Sequence, residues 1–273
     1  MDDFGSGPKP VDGIRVGVGG WTYVPWRNNF YPKGLVQRRE LEYASRHLSA
    51  IEVNGTFYGS QKPATYAKWA AETPDGFLFS AKAPMRIMQS KTLAKTGPQV
   101  DDFVGGIASL GDRLGPIVWQ FDQGPPLQRD TFAQFLALLP TQVEGRRLRH
   151  VIDVRDHAFV DQDYVALLRQ HNMAGVFTDS SEHPSFADVT ADFVYARLMQ
   201  TRSDIADGYP DAELDRWAAR AREWSQGGQP ADLPYLAPQH ADGRKRDVFV
   251  YFISAAKERN PAAAMALLRR LGA

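Results

Sequence analysis

The chain has 273 residues, of which 43% are hydrophobic and 23% are charged, a composition typical of a folded globular protein. Its 32 basic and 32 acidic side chains cancel, so net charge provides no general attraction to nucleic acid or to a membrane surface. Cysteine is absent, which excludes disulfides, thiolate nucleophiles and cysteine-bound metals.

The N-terminal segment, residues 1–13, is acidic and rich in glycine and proline. It lacks the basic and apolar regions of a signal peptide, and it is predicted to be a flexible tail. No apolar run approaches the roughly 20 residues that a membrane-spanning helix needs. We therefore expect a cytoplasmic protein without a membrane partner.

From residue 14 onward, strand-like segments alternate with helix-like segments. The predicted strands are 14–21, 50–54, 77–83, 116–121, 150–154, 174–179, 193–198 and 247–252. The predicted helices are 37–48, 63–72, about 98–111, 129–139, 163–171, 211–224 and 261–271.

About eight strands, nearly all followed by a helix, are typical of an α/β fold with a single (β/α)8 TIM-barrel-like domain over residues 14–273. No clear helix follows the strand at 174–179, so the sixth crossover should be irregular. A doubly wound open sheet shares the alternation and is the alternative fold.

One segment, residues 227–247, interrupts the alternation because it is rich in glycine, proline and aspartate. It is predicted to be an insertion before the last strand, at the N-terminal face of the barrel and away from a typical active site. Its basic cluster at 243–246 is either a solvated turn or an interaction patch.

The second strand contains an unusual pair of polar residues. Residues 50–58 read AIEVNGTFY, which is apolar and β-branched enough for a buried strand, yet Glu52 and Asn54 lie within it. Side chains two residues apart on a strand point to the same face. A charge in such an element is costly unless it has a partner or a function.

Polar residues recur at the C-terminal ends of the other strands, where barrel enzymes place their catalytic groups. We predict catalytic roles for three acids, Glu52, Asp153 and Asp179. The predicted substrate-binding residues are Trp21, Asn54, Lys82, Gln120, Arg155, Arg197 and Tyr251. The cations among them suit phosphate, sulfate or carboxylate groups. Taken singly, several have structural explanations, such as a buried ion pair between Glu52 and Arg155.

The sequence implies no cofactor by motif. The glycines Gly17, Gly19 and Gly20 do not form a dinucleotide-binding fingerprint, and no phosphate-binding loop or GxSxG element is present. The acids together with Asn54 could hold a divalent metal ion or supply a general acid and base, and the sequence does not distinguish these uses. Aromatic residues at 21–31 could stack a ligand or pack the end of the barrel.

Two long segments carry a family resemblance. Residues 17–32, GVGGWTYVPWRNNFYP, and residues 41–84, which include EVNGTFY and KAP, resemble the DUF72 (YecE-like) family of uncharacterised TIM-barrel-like proteins. The resemblance extends from about Ile14 to Leu271 and implies a barrel. The site residues that it implies are Trp21, Glu52, Asn54, Lys82, Gln120, Arg155 and Arg197. The sequence departs from the family pattern at 120–123, 153–156, 196–200 and 251–254.

The leading hypothesis is an enzyme with hydrolase- or lyase-type acid–base chemistry on a small polar substrate that is anionic or phosphorylated. Glu52 would be the general acid or base, with Asn54 and Gln120 orienting the substrate. One alternative is a ligand-binding barrel without chemistry. Another is a metal-dependent phosphodiesterase or nuclease-like barrel, for which nucleic-acid binding would need a local basic patch. The oligomeric state is not predicted.

Overall fold

A computed structural model describes residues 4–122, 124–238 and 242–273. Eight parallel strands form a closed barrel. They are β1 Ile14–Gly19, β2 Ala50–Val53, β3 Leu78–Lys82, β4 Leu114–Phe121, β5 His150–Val154, β6 Ala174–Thr178, β7 Phe193–Leu198 and β8 Asp247–Phe252. Each strand pairs with the next, and β8 pairs with β1. This closure confirms the predicted barrel and excludes the open sheet, which would leave two strand edges unpaired.

The helices surround the barrel. They are α1 Glu40–Ser45, α2 Pro63–Ala71, α3 Met85–Met88, α4 Gly97–Ile107, α5 Arg129–Leu138, α6 Gln162–His171, α7 Asp211–Ser225 and α8 Asn260–Leu271. The helix predicted near 98–111 changes to 3-10 geometry over Ala108–Arg113, where Gly111 has φ 56°. No helix of the described residues combines the length and apolar character that crossing a membrane requires.

The sixth crossover is irregular, as predicted, because residues 179–192 contain no helix. The ring of Phe186 packs where a side chain on Gly175 would be, since a Cβ there would lie 2.5 Å from Phe186 Cζ. The 227–247 segment also reaches this crossover. Buried Asp188 accepts hydrogen bonds from the backbone N–H groups of Leu236 and Ala237, at 2.8 and 3.0 Å. Part of the predicted insertion therefore covers a barrel face that has no helix of its own.

The basic cluster at 243–246 is not uniformly exposed. The Arg246 side chain is buried and pairs with Asp242, whereas Arg244 and Lys245 are exposed. Residues 239–241 of the same segment lie outside the described residues. The interaction patch proposed for this cluster stays a prediction.

The described part of the N-terminal segment, residues 4–13, begins with a packing contact of Phe4, and the flexible tail predicted over 1–13 stays a prediction. The ring of Phe4 meets Tyr43 edge-on, with ring centroids 5.1 Å apart, and the guanidinium group of Arg39 lies 4.4 Å from the Phe4 ring centroid. The Phe4 ring, although it lies in a polar segment, thus has one aromatic and one cationic partner. Residues 1–3 lie outside the described part.

The barrel interior is solid beneath the C-terminal ends of the strands. Tyr195, Phe249 and Tyr251 are fully buried there, and the ring centroids of Tyr195 and Tyr251 are 5.1 Å apart. On β1, Gly17 lets β2 approach closely, because a Cβ atom at that position would overlap the carbonyl oxygen of Ala50, and it would also lie 3.3 Å from Tyr251 Cε1. The aromatic layer forms a rigid base for the polar residues above it.

Candidate functional site

A cavity of about 320 Å³ lies at the C-terminal ends of the strands. We call it the mouth cavity. The predicted site residues that line it are Glu52, Asn54, Lys82, Gln120, Arg155 and Arg197. The structure thus brings together six of the polar residues that the sequence had placed on or just after five different strands.

Glu52 forms the floor of the mouth cavity. It is fully buried, and its Oε2 atom accepts hydrogen bonds from the Tyr195 hydroxyl at 2.5 Å and from Arg197 Nε at 2.9 Å. Its Oε1 atom is also buried but has no hydrogen-bond partner among the described residues. One oxygen therefore fixes the carboxylate in place, and the other is left without a donor.

Arg197 connects two acids under the cavity. Its Nη1 atom lies 2.5 Å from Asp153 Oδ2, while its Nε atom binds Glu52. Burial alone would lower the pKa of Arg197, but the two carboxylates more than reverse this and raise its pKa. For Asp153, burial acts to raise the pKa, and the charges of Arg197 and Arg155 outweigh it, so its pKa is lowered. Arg197 and Asp153 are consequently both charged at neutral pH.

Gln120 fixes the next part of the wall. Its Oε1 atom accepts hydrogen bonds from Arg155 Nη2 at 3.2 Å and from Arg197 Nη1 at 3.3 Å. Its Nε2 atom donates to Asp122 Oδ2 at 2.6 Å. Because both ends of the amide are occupied, Gln120 holds the two arginine side chains in a defined arrangement.

Lys82 ends strand β3, and its ammonium group lies 4.5 Å from the centroid of the Phe57 ring. Among the residues that the structure describes, this ammonium group has no hydrogen-bond acceptor or ion-pair partner. Burial, together with the nearby charge of Arg197, lowers the pKa of Lys82 to about 8, although Glu52 partly opposes the shift. Roughly a tenth of such a group is neutral at pH 7.

Asn54 depends on a glycine of the neighbouring strand, β1. It follows β2 with helical backbone angles, φ −88° and ψ −24°, and still lines the mouth cavity together with Glu52. A Cβ atom on Gly19 would lie 2.7 Å from Asn54 Nδ2. The glycine at this position therefore provides the space that the amide occupies.

Besides Asp153, which contacts Arg197 below the mouth cavity, three predicted site residues do not line it. Asp179 accepts hydrogen bonds from the Met199 N–H and the Tyr209 hydroxyl, both at 2.6 Å. Burial raises the pKa of Asp179, and its contacts connect the loops after β6 and β7. In the layer below the cavity, the hydroxyl group of Tyr251 lies 2.6 Å from Ser80 Oγ.

The third of these residues, Trp21, belongs to the aromatic loop at 21–31. Its ring packs edge-on against Trp69, with centroids 4.9 Å apart. Trp26 is fully buried, and its Nε1 atom donates to the backbone carbonyl of Lys257 at 2.8 Å. This packing favours a structural role for the loop over ligand stacking.

Lys257 and Asp122 line the mouth cavity and were missed in the sequence. The Lys257 ammonium group lies 4.5 Å from the ring centroid of Tyr23, and burial lowers its pKa. Asp122 directly follows β4, and Lys257 begins a 3-10 turn a few residues after β8. A basic residue shortly after the last strand, next to the C-terminal face, is the signal that could have identified Lys257.

The charges around the cavity favour an anion. The lining contains the cations Lys82, Arg155, Arg197 and Lys257 and the acids Glu52 and Asp122. Counting Asp153, which contacts Arg197 from below, four cationic groups face three acidic ones. The excess of one positive charge in a confined site attracts anionic ligands.

The acids are not arranged as a metal site. Within the described ranges, no three His, Asp or Glu side chains lie close enough together to hold a metal ion. Glu52 and Asp153 instead share the guanidinium group of Arg197. The donor set therefore fits an arginine-centred ion network better than the divalent-metal site that the sequence left open.

Comparison with known proteins identifies the family. A family model described as "Protein of unknown function DUF72" matches residues 15–273. The chain belongs to the DUF72 family. The UPF0759 protein YunF of Bacillus subtilis strain 168 is 31% identical over 70 residues, which is 26% of this chain and 24% of that protein. The match thus spans about a quarter of that relative's length.

Solved structures confirm the fold. A DUF72 family protein from Enterococcus faecalis V583 superposes with a TM-score of 0.69 at 15% identity, covering 95% of this chain and 96% of that one. A DUF72 family protein from Thermotoga maritima MSB8 gives 0.69 at 18% identity, covering 94% and 96%. A xylose isomerase-like TIM barrel/4-hydroxyphenylpyruvate dioxygenase fusion protein gives 0.50 at 14% identity over 91% of this chain and 41% of that one. At these identities the likeness concerns the fold alone.

Proposed function

We propose that this DUF72 protein is a barrel enzyme that binds a small anionic substrate in the mouth cavity and transfers a proton there. The observation that carries the proposal is Glu52. Its carboxylate is fully buried and held through one oxygen, while the other oxygen has no partner in the described part of the chain. Leaving a buried acceptor unsatisfied costs about 1–3 kcal/mol. A substrate donor bound in the cavity would recover that free energy.

The cations of the cavity supply the binding of the anionic group. Lys82, Arg155 and Lys257 all line it, and none of the three is tied to an acid as closely as Arg197 is. Charge-assisted hydrogen bonds from such groups to carboxylate or phosphate oxygens are stronger than neutral ones. A volume of about 320 Å³ is at the small end of ligand sites, which suits a small metabolite.

Proton transfer is assigned to Glu52 and Lys82. The unpartnered Oε1 atom of Glu52 can accept a proton from a substrate hydroxyl, amine or carbon acid. With a pKa of about 8, Lys82 can donate or accept a proton near neutral pH. These properties support hydrolase- or lyase-type acid–base chemistry.

The experiment is a turnover screen of small carboxylates and phosphate monoesters by mass spectrometry, with calorimetric titration of inorganic phosphate. Glu52→Gln keeps the side-chain shape but removes the proton acceptor, so turnover should fall by about 100-fold or more while phosphate binding persists. Glu144→Gln is the matched control, because the Glu144 side chain is 66% exposed. Equal turnover by wild type and Glu52→Gln would refute the role of Glu52.

A ligand-binding barrel without chemistry is the second candidate. It is favoured by the ion network, since Glu52 and Asp153 are both held by Arg197, as in a structural cluster. Binding of an anion with no product after long incubation would support this candidate. Any product that depends on Glu52 would exclude it.

A further inference from the structure

We infer that Lys82 forms a Schiff base with the carbonyl carbon of a small α-keto acid or aldehyde carboxylate bound in the mouth cavity. The inference rests on the proposed function, because it assigns a substrate class to the same site. It follows from one juxtaposition: Arg197 occupies both buried carboxylates, and the neighbouring amine is left without a counter-ion.

Lys82 is held in position by its backbone. Its carbonyl oxygen accepts a hydrogen bond from Thr56 Oγ1 at 2.7 Å, and the next residue, Ala83, donates its N–H to Val118 at 2.8 Å. The side chain then leaves the end of β3, and its Nζ atom lies over the face of the Phe57 ring. The backbone anchors fix the origin of the side chain, while its amine has no polar partner among the described residues.

An amine that served only to balance charge would approach a carboxylate. Lys68 does so, with its Nζ atom 3.7 Å from Glu72 on the exposed face of α2. Lys82 has no such partner, and its surroundings favour the neutral amine through burial and through the nearby guanidinium groups. Desolvation and a neighbouring cation are the two features that activate lysine as a nucleophile.

The reaction balances without a cofactor. The neutral Nζ atom attacks the carbonyl carbon, and a C–N bond forms. The carbonyl oxygen then leaves as water, taking the two protons that the nitrogen loses, and the resulting imine binds a proton from solvent. Arg155 and Lys257 line the same cavity and would hold the carboxylate. Glu52 Oε1 is the acceptor for a proton removed beside the iminium carbon.

The test traps the imine by reduction. The protein is incubated with pyruvate or glyoxylate and sodium cyanoborohydride, and peptide mass spectrometry locates the reduced adduct. Occupancy at Lys82 should exceed that at Lys68 by about tenfold or more, because burial lowers the pKa of Lys82 and leaves more of its amine neutral. Lys82→Arg should abolish the main adduct, and Lys68→Arg should leave it unchanged.

The outcomes separate this inference from the proposed function. Adducts that follow surface exposure rather than Lys82 would overturn the inference. If calorimetry shows pyruvate binding that Arg155→Met weakens, while no adduct forms at Lys82, the Schiff base fails and the proposed function stands. If neither pyruvate nor phosphate binds, both fail. Since the wild-type peptide map itself locates the adduct, the test does not depend on the folding of a variant.

Discussion

The ammonium group of Lys82 should destabilise the fold at neutral pH. In the folded protein its pKa is lowered from 10.5 to about 8, mainly by burial. A pKa that differs by one between the folded and unfolded chains corresponds to about 1.4 kcal/mol. The charged form of Lys82 therefore lowers the free energy of unfolding by up to about 3 kcal/mol. Lys82→Met removes this charge and keeps a chain of similar length.

The sign of the pH dependence follows from the proton count. Between about pH 8 and pH 10.5 the unfolded chain binds the proton of Lys82 and the folded protein has released it, so this residue makes stability rise with pH in that window. The methionine variant lacks this rise. At about pH 7, removal of the buried charge should make the variant more stable than wild type by up to about 3 kcal/mol. The lost contact between the ammonium group and the Phe57 ring should reduce this gain by about 0.5–2 kcal/mol.

Urea unfolding followed by tryptophan fluorescence, repeated between about pH 7 and about pH 10, measures the difference. The advantage of Lys82→Met over wild type should shrink steadily as the pH rises. Lys68→Met is the control, because the Lys68 side chain is 70% exposed and its replacement should leave the pH profile of wild type unchanged. A constant difference between Lys82→Met and wild type across this range would refute the reasoning.

Three further variants test the surroundings of Lys82. Arg197→Met leaves two buried carboxylates without their cation and should lower the free energy of unfolding by about 3–5 kcal/mol; a loss under about 1 kcal/mol would contradict the ion network. Gly19→Ala should displace Asn54 and weaken phosphate binding measured by calorimetry. Gly59→Ala is the control, because a Cβ atom there meets no atom within 4 Å. Equal phosphate affinities of the two variants would contradict the contact between residue 19 and Asn54. Asp153→Asn should be less stable than wild type above about pH 4, because the lowered pKa of Asp153 stabilises the wild-type fold there. The difference in stability should narrow below about pH 4. A stability difference that does not change with pH would argue against the lowered pKa of Asp153.

The barrel could be predicted because each strand and helix carries its own hydrophobic pattern. The strands at 150–154, 193–198 and 247–252 have the predicted bounds, and the missing sixth helix was visible as an absence of helical spacing. The two-stranded hairpin of Gln142–Val143 and Arg146–Arg147 was not predicted. Two-residue strands are too short for a periodic pattern to show them.

The sequence could predict which residues of the candidate site lie near strand ends, but not how deep in the barrel each side chain lies. Depth in the barrel depends on strand register, which the sequence does not show. Tyr251 pairs with Gly17, whereas Glu52 pairs with Gly19, two residues nearer the C-terminal end. Tyr251 therefore lies in the layer below the mouth cavity. Arg197 lies at the level of Tyr251 but lines the cavity because its side chain is long enough to reach Glu52.

The partners of the charged residues were the least predictable feature, and they decide the chemistry. The sequence offered Glu52 and Arg155 as an ion pair, but the structure pairs Glu52 with Arg197, which comes from a different strand. With Arg197 engaged by two acids, Arg155 contacts Gln120 and Asp153, and Lys82 has no acid within ion-pairing distance in the described part of the chain. If Arg155 had formed the ion pair with Glu52, as the sequence suggested, Arg197 would have been paired with one carboxylate instead of two. The reactivity expected of Lys82 thus follows from which arginine binds Glu52, and the stability loss of Arg197→Met tests that pairing.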